Sequence, residues 1–252
     1  MLLVADVHGA AEALGKAAGR GEPLLVLGDL INLIDYRTLD GILSDLCGKP
    51  LVAEVVALRR VGNYAGARDR WRRWMAGREE QFRARFAESV TAQYRTICAS
   101  LAGSGALVTY GNVDWPDLLP ELLPEGVRFV DGEVVEVEGY RVGLVGGGAP
   151  TPLGVPGEVS EEEMAAKLAA LGEVDILCSH AAPNVGPLRR DVVAGRVEAG
   201  FRSILEYLLE ARPGWHYFGD VHQPQATRWR VGSTICRNVG YFRATGRAVR
   251  HR

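Results

Sequence analysis

LLVADVHG, residues 2–9, decides how the rest of the chain is read. Leu2, Leu3 and Val4 form an apolar run of the kind that makes a short buried strand, and it breaks at once on Asp6, Val7, His8 and Gly9. With one residue between them, the carboxylate and the imidazole are expected to leave the strand end on the same side, as two-residue periodicity requires. Such a pair can hold one side of a divalent cation, but it is also an ordinary polar cap on a sheet edge. What separates the two readings is whether other strands end in further ligands.

Four more do. Residues 10–19, AAEALGKAAG, read as a helix closed by Gly19 or Gly21, and PLLVLGD (23–29) is a second buried strand ending on Gly28 and Asp29. ALVTYGNVD (106–114) repeats the pattern with a polar turn at Gly111, Asn112, Val113 and Asp114. VDILCSHAAP (174–183) ends at His180, and WHYFGDVHQPQ (215–225) ends at Gly219, Asp220, Val221 and His222. Strand and helix alternate around these ends, which is the pattern of an α/β sheet with a site along one edge. Clustered carboxylate, imidazole and one amide, without thiolate, suit Mn²⁺, Fe or Zn²⁺ better than a structural zinc.

Between Leu39 and about Leu101 the pattern changes: VAEVVALRRV, RDRWRRWMAG and EEQFRARFAESVTAQYRTICASLA carry apolar residues at helical spacing, punctuated by Gly62, Gly66 and Gly77. This predicts a helical insertion of two or three helices at about 39–101 within a single domain spanning 1–252. VRFVDGEVVEVEGYRVGLVGG (127–147) alternates with period two around Asp131-Gly132 and Glu138-Gly139 and reads as an antiparallel meander. A Gly- and Pro-rich loop, 146–157, leads to a helix that Ser160 and Glu163 begin as a capping box and that runs to about Leu171. FRSILEYLLEARP (201–213) is an amphipathic helix stopped by Pro213, and two or three closing strands come after it.

The balance of 29 Lys and Arg against 31 Asp and Glu leaves a net charge of −2, which argues against a protein built wholly around nucleic acid or an anionic membrane. No apolar run approaches the roughly 20 residues that span a bilayer. The early break at Asp6 and the missing basic n-region predict no signal peptide, and four scattered cysteines, Cys47, Cys98, Cys178 and Cys236, fit a reducing cytoplasm.

The five motifs together resemble the calcineurin-like metallophosphoesterases, which show Asp-x-His, Gly-Asp, Gly-Asn-His-Asp or Glu, a His after a strand, and Gly-His-x-His in this order. Here they are Asp6 with His8, Gly28 with Asp29, Gly111 to Asp114, His180 with Pro183 three residues on, and Gly219 to His222. The likeness runs from residue 1 to about 240, the insertion excepted. It implies a four-layer αββα sandwich of two mixed β-sheets flanked by helices, and two divalent metal ions. It also implies that Asp6, His8 and His222 bind the first ion, that Asp29 bridges both, and that Asn112, His180 and Asp220 bind the second. A hydroxide bridging two cations about 3.5 Å apart would then attack phosphorus in line, with Asp29, Asn112 and His180 in the catalytic constellation.

Three positions depart from the family pattern. Val113 stands where many members carry the His that protonates the leaving group, a handicap of about 10²–10⁴-fold for poor leaving groups. That favours phosphodiesters, and especially activated ones, over monoesters. Asp220 replaces an imidazole with a shorter carboxylate, which favours a hard ion such as Mn²⁺ and makes the hydroxide less acidic. Asn32 stands where a second Asp is common and is read as loop support, and Asn238 matches the late Asn-Pro-Gly turn without its proline. The alternative is a binding module that keeps the fold and has given up catalysis, with the insertion as its partner surface. A nuclease is a third reading.

Around Trp71 and Trp74, arginines 59, 60, 68, 70, 72 and 73 offer a basic aromatic surface. A solvated helical face with Trp anchors, or a homo-oligomer contact, is preferred there over a nucleic-acid strand. Arg189 and Arg190 are candidates for a substrate phosphate or plain surface residues. His216 and His251 are given no role, and the glycines at 146–148 are read either as turns or as a close backbone approach to substrate.

Overall fold

Parallel strands that are apolar on both faces must be covered on both, and this governs the first sheet. The computed structural model describes residues 1–151, 154–193 and 195–251 and divides into two compact units, Met1–Leu30 with Thr96–Arg252, and Ile31–Arg95. In the first unit β1 (Leu2–Val4), α1 (Ala11–Ala18) and β2 (Leu24–Leu27) form a parallel crossover, with Leu3 opposite Leu25. Leu3, Leu25 and Leu27 face one core, while Leu2, Val4, Leu24 and Val26 are just as deeply buried on the other face.

The second unit is helical. It holds α2 (Ile42–Cys47), α3 (Lys49–Arg60), α4 (Tyr64–Met75) and most of α5 (Glu79–Ala99), whose residues from Thr96 onward belong to the first unit. The stretch read as two or three helices thus contains four, because Gly41 and Gly48, both at positive φ, set off the short α2 from its neighbours. Leu51, Val55 and Ala67 form its small core, and Trp71 and Trp74 pack against them. Trp71 also meets the edge of the Phe82 ring at 5.6 Å. Within the unit Arg70 pairs with Glu54 and Arg73 with Asp69, and Arg60 donates to the Tyr36 carbonyl at 2.8 Å.

Back in the first unit, β3 (Leu107–Thr109) joins β2 in parallel, and α6 (Leu119–Leu122) precedes β4 (Arg128–Phe129). Here the chain departs from the expected meander: β4 pairs with β3 in parallel, and the chain then crosses to the other sheet. Asp131-Gly132 is the crossing and not a hairpin turn. The Asp131 carboxylate accepts the Gly146 N–H at 2.8 Å and an ion pair from Lys167 at 2.9 Å, while the Gly132 N–H donates to the Leu144 carbonyl. The second expected turn is a hairpin: Glu138 and Gly139, both at positive φ, join β5 (Glu133–Val137) to β6 (Tyr140–Val145).

The rest supplies α7 (Glu161–Leu171), with its Ser160 and Glu163 capping box complete, and β7 (Ile176–Ser179). Then come α8 (Gly186–Arg189) and the ribbon of β8 (Arg190–Asp191) with β9 (Arg196–Val197). Beyond them lie α9 (Arg202–Glu210), β10 (Trp215–Phe218), β11 (Arg228–Val231), β12 (Thr234–Asn238), α10 (Phe242–Thr245) and β13 (Val249–Arg250). Pro152 and Leu153 of the Gly- and Pro-rich loop lie outside the described residues. The first sheet runs β13-β1-β2-β3-β4 and the second β11-β12-β10-β7-β6-β5, each with parallel and antiparallel pairs. Leu3, Leu25 and Leu27 of the first meet Val142, Leu144, Ile176, Cys178 and Tyr217 of the second in one shared core. The architecture is the expected α/β sandwich of two mixed sheets flanked by helices. Among the described residues no helix is long and apolar enough to cross a membrane.

Candidate metal centre

In both sheets the parallel strands carry their C-terminal ends to the same edge, which is where open α/β sheets place ligands. Backbone hydrogen bonds stitch the turn leaving β1 to that leaving β2, and the turn leaving β10 to that leaving β7. The Asp6 N–H donates to Gly28 O at 3.1 Å, the His8 N–H to Asp29 O at 2.9 Å, and the Gly219 N–H to His180 O at 2.9 Å.

Side-chain direction at these turns does not come from strand periodicity. β1 has already ended at Val4, and Asp6 and His8 sit at φ 57° and 40°. Asp29 and Asp220 are left-handed too, at 52° and 64°. The expectation that extended geometry aims Asp6 and His8 together is therefore corrected: a tight left-handed turn aims them. Asp, Asn and His tolerate this region better than most side chains, and such strain is characteristic of sites that the surrounding structure holds in place.

Six of the seven expected ligands meet. Single ligand atoms of Asp6, His8 and His222 lie within 4.8 Å of one another, and so do those of Asp6, Asp29 and His180. Asp29 turns one oxygen to each side: Oδ2 is 3.6 Å from His8 Nε2, and Oδ1 is 3.5 Å from His180 Nε2. Asn112 Oδ1 stands 3.1 Å from His180 Nε2. Asp220 enters differently, through its backbone N–H, which donates to Asp6 Oδ1 at 3.2 Å. Its carboxylate belongs to neither three-residue group among the described residues.

The donor set fits a divalent cation. His180 Nδ1 lies 2.8 Å from the Leu27 carbonyl, which can only accept, so Nδ1 carries the proton and Nε2 of the neutral ring keeps its lone pair. That lone pair faces two further acceptors, Asn112 Oδ1 and Asp29 Oδ1. Three acceptors converging without a proton among them are what a cation satisfies. On the other side His8 Nε2 and His222 Nε2 face each other at 3.3 Å, and Asp6 Oδ2 is buried with no hydrogen-bond partner among the described residues. Buried Asp and His groups here can hold metal ions.

The electrostatics agree. Burial, then the charges of Asp29 and Asp220, push the Asp6 carboxyl well above its ordinary range. Burial also raises Asp29, against the opposing pull of His8 and the Val113 N–H, and lifts Asp114 to about 6. A raised carboxyl favours the metal-free fold below its unfolded pKa, and that advantage disappears as pH rises through the folded value. A cation bound to the ionised carboxylates reverses the sign. Millimolar Mn²⁺ should therefore raise the melting temperature of chelator-treated protein more at pH 7.5 than at pH 5.5. We expect a difference of at least about 3 °C for one pKa unit in a chain of this size. Equal shifts at the two pH values in scanning calorimetry would contradict this.

Of the supporting residues, Asp114, Val113 and Asn238 lie in motifs read from the sequence, whereas Tyr241 has no local signal of its own. Asp114, fully buried, accepts the Leu30 N–H at 3.0 Å and the Gly111 N–H at 2.8 Å, so it ties the turn after β2 to the turn after β3. Asn238 donates to Gly219 O and Val221 O at 3.2 and 3.0 Å. Tyr241 stacks on His222, with ring centroids 4.0 Å apart and planes 4° from parallel. Val113 contributes only its N–H, donated to Asp29 Oδ1 at 3.1 Å.

Other candidates lie elsewhere. Arg189 donates to Glu198 O, and Arg190 is exposed on β8. His216 is buried against Ser179 Oγ at 2.8 Å with its pKa pushed down to about 3 by burial, and His251 pairs with Tyr217 OH at 2.8 Å. Within the second unit Asn32 donates from Nδ2 to Asp40 O at 3.3 Å and from its backbone N–H to Gln93 Oε1. The chain at Gly148 and Gly157 is pressed against Asn112, close enough that a Cβ at either position would collide with it.

No family model matches the chain, and no curated protein does. Solved structures do. One crystal structure is 14% identical and superposes with a TM-score of 0.58 over 96% of this chain and 90% of that one. The crystal structure of TT1561 of Thermus thermophilus is 13% identical, with a TM-score of 0.56 over 96% of this chain and 89% of that one. At such identities the likeness is one of fold, extending over nearly the whole chain.

Proposed function

We propose that this chain is a metal-dependent phosphoester hydrolase of the calcineurin-like metallophosphoesterase kind, acting by preference on phosphodiesters. In this reading residues 1–252 form one domain with a helical insertion at about 39–101, working in the cytoplasm, and the insertion serves as a homo-oligomer contact. The observation that carries it is the convergence of Asp6, His8, Asp29, Asn112, His180 and His222 from five strand ends onto one edge.

Asp6, His8 and His222 are assigned to one cation and His180 with Asn112 to the other, with Asp29 between them through its two oxygens. Asp220 is assigned to the second site, where its carboxylate would add negative charge that favours Mn²⁺. When bound, the pair of cations acidifies water and neutralises charge building on the phosphoryl oxygens. The chain's own residues orient and exclude. Leu27 O holds the His180 ring in the tautomer that presents Nε2, and the Val113 N–H holds Asp29 Oδ1. Val113 has no proton to give a departing alkoxide, so leaving groups that are already acidic are expected to serve best.

The test is elemental analysis of the purified protein together with hydrolysis of bis(4-nitrophenyl) phosphate and 4-nitrophenyl phosphate, with Mn²⁺ and with chelator. Two metal ions per chain and chelator-sensitive hydrolysis, faster on the diester, are expected. Metal bound without any hydrolysis would move the assignment to a binding module on this fold, the reading that Val113 and Asp220 motivate. Neither metal nor hydrolysis would overturn it.

A further inference from the structure

We infer that Tyr241 is a positioning residue for the His8 and His222 half of the centre, the aromatic brace of a six-residue clamp, Asn238 to Arg243; this rests on the two-metal reading above. The clamp grips both turns that supply this half. On the β10 side, Asn238 Nδ2 donates to Gly219 O and Val221 O at 3.2 and 3.0 Å, which fixes the turn that carries His222. On the β1 side, the Phe242 N–H donates to Ala5 O at 3.1 Å and the Arg243 N–H to Asp6 O at 3.0 Å, while the Arg243 guanidinium donates to His8 O. Tyr241 lies between these anchors, 7% exposed, and its ring touches both imidazoles. It stacks flat on His222, and it meets His8 at 75° with centroids 5.8 Å apart.

The geometry gives the brace a specific task. His222 is the most exposed of the imidazoles, with 32% of its side chain accessible, whereas His8 is 8% and His180 0% exposed. The turn fixes its Cα, and packing against the Tyr241 ring constrains its side-chain torsions. A parallel aromatic neighbour fixes the plane of the ring, and with it the direction of Nε2, which lies 3.3 Å from His8 Nε2 and 3.7 Å from Asp6 Oδ1. His180 is oriented by its hydrogen bond to the Leu27 carbonyl, and His222 has the flat face of Tyr241 against its ring.

The experiment compares Tyr241→Phe and Tyr241→Leu with the unmodified chain. Leu keeps the site apolar and filled but offers no flat face; Tyr241→Ala is held in reserve should Leu fail to fold. In metal-free protein, proton NMR should show the His222 ring protons shifted by the neighbouring ring in the unmodified chain and in Tyr241→Phe, and released from that shift in Tyr241→Leu. In calorimetric titration with Mn²⁺, Tyr241→Phe should keep two sites. Tyr241→Leu should keep one site unchanged and weaken the other about 10- to 100-fold, the range typical of lost outer-shell support. If the unmodified chain binds two ions and Tyr241→Leu binds both equally well, the brace is refuted while the two-metal reading stands. If the unmodified chain binds none, both fall together.

Discussion

Asp29→Asn is expected to lower hydrolysis of bis(4-nitrophenyl) phosphate by on the order of 10³-fold or more without unfolding the protein. The carboxylate faces both halves of the centre, with Oδ2 toward His8 and Oδ1 toward His180, so neutralising it weakens both at once. Asn keeps the volume, can still accept from the Val113 N–H, and tolerates the left-handed backbone at φ 52°. Asp29→Ala would lose all three and confuse a chemical effect with a structural one. Burial already penalises the charged carboxyl, so metal-free Asp29→Asn should melt no lower than the unmodified protein, yet gain less from added Mn²⁺. Hydrolysis at the unmodified rate would sink the proposed chemistry.

The second large effect comes from one methyl group. Gly111 does not sit at positive φ, so Ala there carries no intrinsic backbone strain, and whatever it costs must come from contact. A Cβ at this position would collide with Asp29, at both its backbone nitrogen and Oδ1, and come within 2.7 Å of His180 Cε1. Neither neighbour can yield freely, since Asp29 is held by Val113 and His180 by Leu27 O. Gly111→Ala is therefore expected to cost about 1–3 kcal/mol, as overpacking does, and to lower the melting temperature by roughly 2–4 °C for each of those. It should also separate Asp29 from His180 and abolish tight Mn²⁺ binding at that half. Gly186→Ala is the control: nothing lies within 4 Å of its added Cβ, and its stability should stay within about 0.5 kcal/mol. If Gly111→Ala behaved like the control in calorimetry and metal titration, the close approach of the two turns would not matter to the centre.

Much of this was readable before any fold was known, and for a local reason. A buried parallel strand is a short apolar run, and the chain must turn where it ends, so a run such as LLVLGD announces both the strand and the residues at its end. The helices of α1, α7 and α9 were legible from their caps and stops, again within a few residues of chain. The crossing at Asp131-Gly132 was not, because it looks like a hairpin turn locally. It differs in long-range partners, β4 pairing with β3 and Asp131 with Gly146 and Lys167.

Residue types and their order along the chain were thus determined by the sequence alone: apolar runs punctuated by Asp, His and Asn, with an arginine-rich helical stretch between the second and third. Tertiary structure decided where those side chains point. Left-handed turns, not strand alternation, aim Asp6, His8 and Asp29, and they are held there by hydrogen bonds between turns that leave different strands. Tyr241, Asp114 and Asn238 acquire their parts in the same way, since each acts on a turn well removed from it in the chain. Local composition sets which conformations a segment can adopt, but the choice among strained ones is made by long-range contacts that outweigh the strain.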